Sequence, residues 1–432
     1  MYTVAFRTLG CKVNQYDSQA MLEAFLAAGY KQAGFEEIAD VYVVNTCTVT
    51  GAGDQKSMRA VRGALRRNPE AAVVVAGCLA QRAAGELLLP GVRLVLGTQN
   101  RAEVVTLLER ALASGKALVA VDELTAAPFE RLAVTAREGR TRALLKIQEG
   151  CDSRCSYCAV PDVRGPVRSR RLEDVRAEAL RLAEAGYTEI VLAGIHLTSY
   201  GKDMAGGASL IDAIRAAHAA EAVRRVRLGS LEPRVVTPAF VEALGALPKV
   251  CPHFHLALQS GSDAVLSRMR RRYTLAEFLR ACAALRAAFP LAAITTDVMT
   301  GFPGETEEEF AQTRRAIEAA GFARVHVFPY SERAGTPAAG LPFPVPRAVR
   351  EERARALIAQ GKASQAAYLR GLLGSVQEVL LEAPDGAGHM LGYTPQYVRA
   401  SAPGGAPGEI HRVRLTAVQG GVMIGEWPKD KV

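Results

Sequence analysis

The chain has 432 residues, which at ~150 residues per domain is about three domains' worth of length. Hydrophobic residues make up 49% and charged residues 22%, which excludes a disordered or collagen-like chain. The 53 Lys and Arg against 44 Asp and Glu leave a formal charge of +9, a modest excess that admits a polyanionic partner without demanding one.

The first residues, Met1 to Arg7, lack the basic segment, apolar stretch and cleavage site of an export signal. The most apolar internal run, Ala71 to Ala80, is about half of the ~20 residues a membrane span needs. The expectation is a soluble, cytoplasmic protein with no membrane contact. Strand-like runs at Thr3–Phe6, Val41–Val44, Val73–Ala76 and Arg93–Leu96 alternate with helical patterns at Ser18–Ala28 and Gln55–Arg67. That predicts an N-terminal parallel α/β sandwich over residues 1–115. Residues 113–140 read as a linker. A second series over 137–368 has strands at Ala143–Ile147, Glu189–Leu192, Arg225–Leu228, His253–Leu258, Ile294–Met299 and Arg324–Phe328. Helices at 173–185, 208–219, 274–288 and 306–319 separate them, two of them opened by the capping boxes Thr274…Glu277 and Thr306…Glu309. Six such units predict a partial (β/α)6 barrel. Residues 369–432, with short runs between Gly404-Gly405 and Gly420-Gly421 turns, predict a small all-β barrel. The fold class is therefore α/β with a β appendix.

Eight cysteines without an export signal point to thiolate ligands, catalytic groups or core residues rather than disulfides. Cys151, Cys155 and Cys158 form a C-x3-C-x2-C triplet directly after the first strand of the second series. Three local thiolates suit a [4Fe–4S] cluster with one iron left open; the alternative is a zinc site with a distant fourth ligand. Cys11, Cys47 and Cys78 are far apart in sequence, but each follows one of the first three strands. In a parallel sheet those strand ends share one edge, so the three can converge on a second metal centre. Three independent buried cysteines are the alternative. Cys251 and Cys282 read as packing residues, and His253 and His255 as hydrogen-bonding residues of a barrel interior. No Ser-His-Asp set, paired-carboxylate motif or phosphate loop is evident, and Gly51-Ala52-Gly53 reads as a turn.

Eight cations (Arg140, Arg142, Lys146, Arg154, Arg164, Arg168, Arg170 and Arg171) face only Glu149, Asp152 and Asp162 between residues 139 and 171. Such a collar is expected where phosphates approach. A second basic group is Lys56, Arg59, Arg62, Arg66 and Arg67; solvated ion-paired faces are the alternative for both. The C-terminal segment balances six cations with six anions, which leaves Tyr393, Tyr397 and Trp427 as stacking candidates or as its core.

The C-x3-C-x2-C triplet after the first strand of a partial barrel resembles the radical S-adenosylmethionine (SAM) superfamily. Together with the three-cysteine N-terminal domain and the small β-domain, it resembles the methylthiotransferase family, whose final module is the RNA-binding, OB-like TRAM barrel. Three stretches are similar to the branch that acts on N6-threonylcarbamoyladenosine in tRNA: Thr8-Leu9-Gly10-Cys11-Lys12-Val13-Asn14-Gln15-Tyr16-Asp17-Ser18, Asn45-Thr46-Cys47-Thr48-Val49-Thr50 and Lys146-Ile147-Gln148-Glu149-Gly150-Cys151. The isopentenyladenosine branch more typically has Gln-Met-Asn after the first of these cysteines and Ile-Arg-Glu after the second. Gln259-Ser260-Gly261-Ser262 and Gly301-Phe302-Pro303-Gly304-Glu305 also match family signatures. Ala193-Gly194-Ile195-His196 departs from the Gly-Gly-Glu of many radical SAM enzymes, which leaves the contact to the SAM amino group unassigned.

The resemblance implies two [4Fe–4S] clusters and SAM as cofactors. Cys151, Cys155 and Cys158 would hold the SAM-binding cluster, and Cys11, Cys47 and Cys78 the auxiliary one; Tyr157 and Gln259 would contact SAM. It implies methylthio insertion at C2 of the modified adenosine at position 37, beside the tRNA anticodon. Its partners would be the tRNA anticodon loop and a low-potential electron donor such as flavodoxin or ferredoxin. The C2–H bond is neither acidic nor its carbon electrophilic, which is why a radical cofactor suits the task. The alternatives are an isopentenyladenosine or protein-side-chain substrate and, from another class, a zinc-cysteine RNA-binding protein.

Overall fold

Val41–Thr46 and Ala72–Gly77 show no alternation of polar and apolar residues, and both are buried at every position. Strands covered on both faces have that pattern. The computed structural model describes residues 2–125, 128–132, 134–135, 141–386 and 388–428. Its first sheet contains β1 (Thr3–Thr8), β2 (Lys31–Ala33), β3 (Val41–Thr46), β4 (Ala72–Gly77), β5 (Val92–Leu96) and β6 (Leu118–Ala120). All pair in parallel, in the order β2-β1-β3-β4-β5-β6. Four helices cover it: α1 (Lys12–Ala27), α2 (Gly51–Arg67), α3 (Cys78–Arg82) and α4 (Val104–Ser114). Phe25 of α1 and Leu108 of α4 pack on one face, and Val61 of α2 and Leu79 of α3 on the other.

Three readings change here. α1 starts at Lys12 rather than Ser18, because Cys11 is its N-cap and its polar first turn hides the periodicity. Gly51-Ala52-Gly53 is the first turn of α2, where the Thr50 side chain caps the Gly53 N–H at 3.1 Å. Part of the stretch read as a linker is structured: Leu118–Ala120 adds the edge strand β6, and Leu124, Leu132 and Val134 are buried. A three-residue edge strand is too short to register as periodicity.

The second unit has β7 (Arg142–Glu149), β8 (Arg168–Ser169), β9 (Glu189–Gly194), β10 (Arg225–Leu228), β11 (Ser230–Leu231), β12 (His253–Leu256), β13 (Ala293–Thr300) and β14 (Arg324–Pro329). They form two sheets, β10-β9-β7-β8 and β11-β12-β13-β14. The six expected strands are β7, β9, β10, β12, β13 and β14, paired in parallel within their sheets. Leu145, Leu192, Val226, Phe254 and Ile294 join the two arcs in one core, with Val175, Ile214, Phe278 and Ile317 from the outer helices. Both expected capping boxes form, and Ser209 with Asp212 makes a third. α5 (Val160–Arg164) and α6 (Leu172–Glu184) follow the cysteine triplet.

The long helix Arg347–Gly371 lies along β14, where Gly361 lets it approach Val325, and leads into the C-terminal unit. There β15 (Val376–Pro384), β16 (Met390–Tyr393), β17 (Arg399–Ala402), β18 (Ile410–Gln419) and β19 (Val422–Glu426) close into a barrel around Val379, Leu381, Ala400, Val413 and Met423. Among the described residues no helix is long and apolar enough to cross a membrane.

Candidate functional site

β7 ends at Glu149, and Gly150 then turns the chain at φ +74°, where any Cβ would sit 1.8 Å from the Pro166 carbonyl oxygen. The loop that follows carries all three cysteines of the local triplet. Cys151 Sγ accepts from the Ser153 N–H at 3.5 Å and Cys158 Sγ from the Val160 N–H at 3.4 Å. Cys155 Sγ accepts from Arg271 Nη1 at 3.3 Å. Burial pushes the Cys158 thiol up to about 12 and raises that of Cys151, and the neighbouring sulfurs add to both shifts. Such sulfurs keep their protons near neutrality until a metal displaces them. Tyr157, on the same loop, meets the Phe302 ring edge-on at 6.4 Å. Gln259 is buried in the left-handed region at φ +65°, its Oε1 without a partner among the described residues.

Two residues of this nest escaped the sequence reading. Arg271 pairs with Glu232 at 3.1 Å and lies over the Tyr273 ring at 4.9 Å. Glu232 stands 3.6 Å from His196, within the segment that departs from Gly-Gly-Glu. Burial opposes its ionisation, but His196 and Arg271 outweigh it and hold the carboxyl below its ordinary range. No local signal marks either residue, since both come from segments far from the triplet.

The other set is assembled by topology. Cys11 caps α1 just past β1, Cys47 follows β3 and Cys78 opens α3 directly after β4. These three strands are neighbours, and the strand order reverses between β1 and β3, where crevices form in such sheets. Gly10, at φ +99°, favours glycine by its backbone and by crowding: a Cβ there would stand 3.0 Å from Cys47 Cβ and 3.1 Å from its Sγ. The structure thus brings the three cysteines into mutual electrostatic reach. Burial pushes the Cys78 thiol up to about 11 and raises that of Cys47.

Beneath them lies a buried ionic cluster. Arg164 Nε donates to Cys78 Sγ at 3.2 Å, and its Nη1 reaches Asp17 and Glu149 at 3.1 Å each. Lys146 Nζ lies 2.8 Å from Asp17 and 2.6 Å from Glu149. Arg101 adds contacts to Asp17 and Glu130. Among the described residues no group of three or more His, Cys, Asp or Glu side chains is arranged around a single metal ion. Cysteines of a four-iron cluster bind separate irons, and two sets of three soft thiols fit such clusters.

A cavity of about 1000 Å³ runs along the inside of the open barrel and joins all three units. Cys11 and Lys12 line one side, Gly194 and Ser230 mark the carboxyl ends of the strands, and Tyr393, Tyr397 and Arg399 of the small barrel close the far end. His253 and His255 do line the interior, both near Thr295, with His255 Nε2 3.2 Å from Asp297. Burial holds the His253 imidazole well below its ordinary value, so it is neutral at pH 7. Burial works against ionisation of Asp297, yet His255, His326 and Lys12 nearby keep it charged, below its ordinary value. Lys12, Arg324 and Arg399 thus set three fixed cations against one carboxylate in the wall.

The tyrosines are not the core of the small barrel. Tyr393 and Tyr397 stack on each other at 4.8 Å, with Arg142 over Tyr393 at 4.7 Å and Arg227 over Tyr397 at 4.7 Å. Trp427 is half exposed and leans on His411. The collar expected at 139–171 is overturned: Lys146, Arg164 and Arg170 are buried and held by the carboxylates of the interior, and Arg168 is buried with its guanidinium donating to the Arg164 carbonyl oxygen. Arg142 pairs with Glu382, and only Arg154 and Arg171 stand well exposed, at 71% and 60%. Arg140 lies outside the described residues. On α2, by contrast, Lys56, Arg59, Arg62 and Arg66 are all exposed.

Residues 3–97 match the uncharacterized protein family UPF0004, residues 145–317 the radical SAM superfamily and residues 370–427 the TRAM domain. The chain is 41% identical to the threonylcarbamoyladenosine tRNA methylthiotransferase MtaB of Bacillus subtilis (strain 168), covering 96% of this chain and 94% of that one. It is 37% identical to the MtaB of Thermotoga maritima over 97% and 95% of the two chains. It is 36% identical to the tRNA-2-methylthio-N(6)-dimethylallyladenosine synthase of Acidothermus cellulolyticus over 98% and 88%. Among solved structures, the radical SAM methyltransferase TsrM from Kitasatospora setae shares its fold, with a TM-score of 0.58 at 17% identity over 78% of this chain and 73% of that one. The fold, the two cysteine nests and these relatives agree: the chain belongs to the radical SAM methylthiotransferase family, in its MtaB branch.

Proposed function

We propose that this enzyme inserts a methylthio group at C2 of N6-threonylcarbamoyladenosine at position 37 of tRNA. The observation that carries the substrate is the cavity wall, where Lys12, Arg324 and Arg399 outnumber the single Asp297. The threonylcarbamoyl group brings a carboxylate at neutral pH, and an isopentenyl group brings only hydrocarbon. A cationic, histidine-lined pocket rewards the first and leaves its own polar groups unpaired around the second. The names of the MtaB relatives point the same way. The competing reading, isopentenyladenosine, has relatives of similar identity behind it.

In this reading Cys151, Cys155 and Cys158 hold the SAM-binding cluster, and Cys11, Cys47 and Cys78 the auxiliary one. When bound, the clusters and SAM supply the radical that activates the C2–H bond and the sulfur and methyl group that replace the hydrogen. The chain's own work is positioning. Tyr157 and the unpartnered side-chain oxygen of Gln259 bound the SAM site, and Glu232 offers the carboxylate for its ammonium group. Lys12 anchors the substituent on the base next to Cys11, and the stacked Tyr393 and Tyr397, held between Arg142 and Arg227, wall the far end of the cavity beside a base splayed from the anticodon loop. A low-potential electron donor of the flavodoxin or ferredoxin kind supplies the reducing electron.

The test is nucleoside mass spectrometry after anaerobic incubation of the reconstituted enzyme with SAM, reductant and either modified tRNA. A methylthio gain on the threonylcarbamoyl nucleoside alone is expected. A gain on the isopentenyl nucleoside alone overturns the substrate and keeps the chemistry.

A further inference from the structure

Arg164 is the last residue of α5, six positions after Cys158, yet its side chain ends among residues of the N-terminal unit. It is 1% exposed. Its Nη1 serves Asp17 and Glu149, its Nη2 serves Asn14, and its Nε–H points at Cys78 Sγ, 3.2 Å away. Asn14 and Asp17 lie on the helix that Cys11 caps, and Glu149 lies two residues before Cys151. One guanidinium therefore ties together the supports of both cysteine sets.

Charge counting explains why the sulfur receives that bond. Arg164, Lys146 and Arg101 face Asp17, Glu149 and Glu130, and the buried Arg168, which donates to the Arg164 carbonyl oxygen, makes four cations against three carboxylates. The network holds one cation more than its carboxylates offset, and buried ions demand balance, which the sulfur beside Arg164 helps to supply. A charge-assisted N–H···S bond draws electron density from a thiolate and favours the more negative, reduced form of a cluster bound through it. Arg271 makes the corresponding bond to Cys155 at 3.3 Å, but its acidic partner is Glu232 rather than any residue of the N-terminal unit.

We infer that Arg164 is a positioning residue for the dispersed set, holding Cys78 in place and making the cluster bound there easier to reduce. The inference rests on the reading that Cys11, Cys47 and Cys78 hold a cluster. It makes the redox poise of that cluster depend on the loop that carries the other one.

The experiment is an anaerobic redox titration of the full chain with both clusters reconstituted, followed by EPR and by iron content. The wave that disappears in Cys78→Ala identifies the dispersed-set cluster. Arg164→Lys keeps a buried cation but loses the Nε–H, and is expected to move that wave alone to a more negative potential with iron content unchanged. Arg271→Lys is expected to move the other wave. If Arg164→Lys does not fold, the charge-balanced pair Arg164→Gln with Glu149→Gln is read in the same way. Waves that coincide with the wild type, or that shift together, overturn the inference. A wild-type chain with one wave and half the iron removes the auxiliary-cluster reading itself, a separate failure visible before any variant is made.

Discussion

Cys151, Cys155 and Cys158 hang from one loop after one strand, while Cys11, Cys47 and Cys78 reach their places from three strands of another sheet. The first set is fixed within its own unit: a left-handed glycine, a tight loop and two backbone N–H···S bonds, with Arg271 of the same barrel added at Cys155. The second depends on strand order, on close approach at Gly10 and on a cation sent from the other unit. A local nest can assemble as soon as its own barrel folds. A dispersed nest exists only once the sheet is complete and docked, so damage at a distance reaches it more easily.

The comparison can be broken most severely at the sulfurs. Cys155→Ala is expected to leave activity undetectable, with no 5′-deoxyadenosine formed from SAM and about half the iron lost. Cys78→Ala should also stop methylthio transfer, yet reductive cleavage of SAM should persist, measured as 5′-deoxyadenosine by chromatography. Equal loss of both products in the two variants would show that the nests do not act separately.

Next in size is the ionic cluster between them. Removing one member of a buried pair costs about 3–5 kcal/mol, and Glu149→Gln is expected to lower stability at pH 7 by that order in denaturant unfolding. Burial works against ionisation of Glu149, but Arg164, Lys146 and Arg101 hold its carboxyl far below the ordinary range. A carboxyl depressed in the folded state stabilises above its unfolded value of about 4.5, and that contribution fades as pH falls below it. The wild type should therefore lose stability steeply in that acid range, and Glu149→Gln should lose less.

Smaller effects sharpen the substrate side. Lys12→Gln removes one charge-assisted contact, worth about 1.5–3 kcal/mol, and should cut kcat/KM on threonylcarbamoyladenosine tRNA by roughly 10- to 100-fold. The smallest change is expected from α2: Arg59→Ala with Arg62→Ala should flatten the slope of log binding against log salt by about 1–2, from two lost phosphate contacts. No change would leave those cations as a solvated face.

The basic residues show where reading a sequence stops. Lys146, Arg164, Arg168 and Arg170 look like an RNA-facing collar because charge in a sequence carries no depth. The fold buries Lys146, Arg164 and Arg170 against Asp17, Glu149 and Glu178, carboxylates that lie near and far along the chain, and Arg168 against the Arg164 carbonyl oxygen. Arg271 and Glu232 were missed for the same reason: each becomes informative only beside a sulfur or a histidine from another segment.

What the sequence by itself determined was everything with a short period or a short spacing. The strands that anchor the parallel sheets, the capping boxes at Thr274 and Thr306 and the C-x3-C-x2-C triplet are set by residues within a few positions of one another. Even the convergence of Cys11, Cys47 and Cys78 could be anticipated, because strands of a parallel sheet end on one edge. The tertiary structure alone decided which cations face water, which arginine meets which sulfur, and how Lys12 comes to share a cavity with Asp297 and Arg399. Those outcomes rest on burial and charge balance between distant segments, and both exist only after the units have packed.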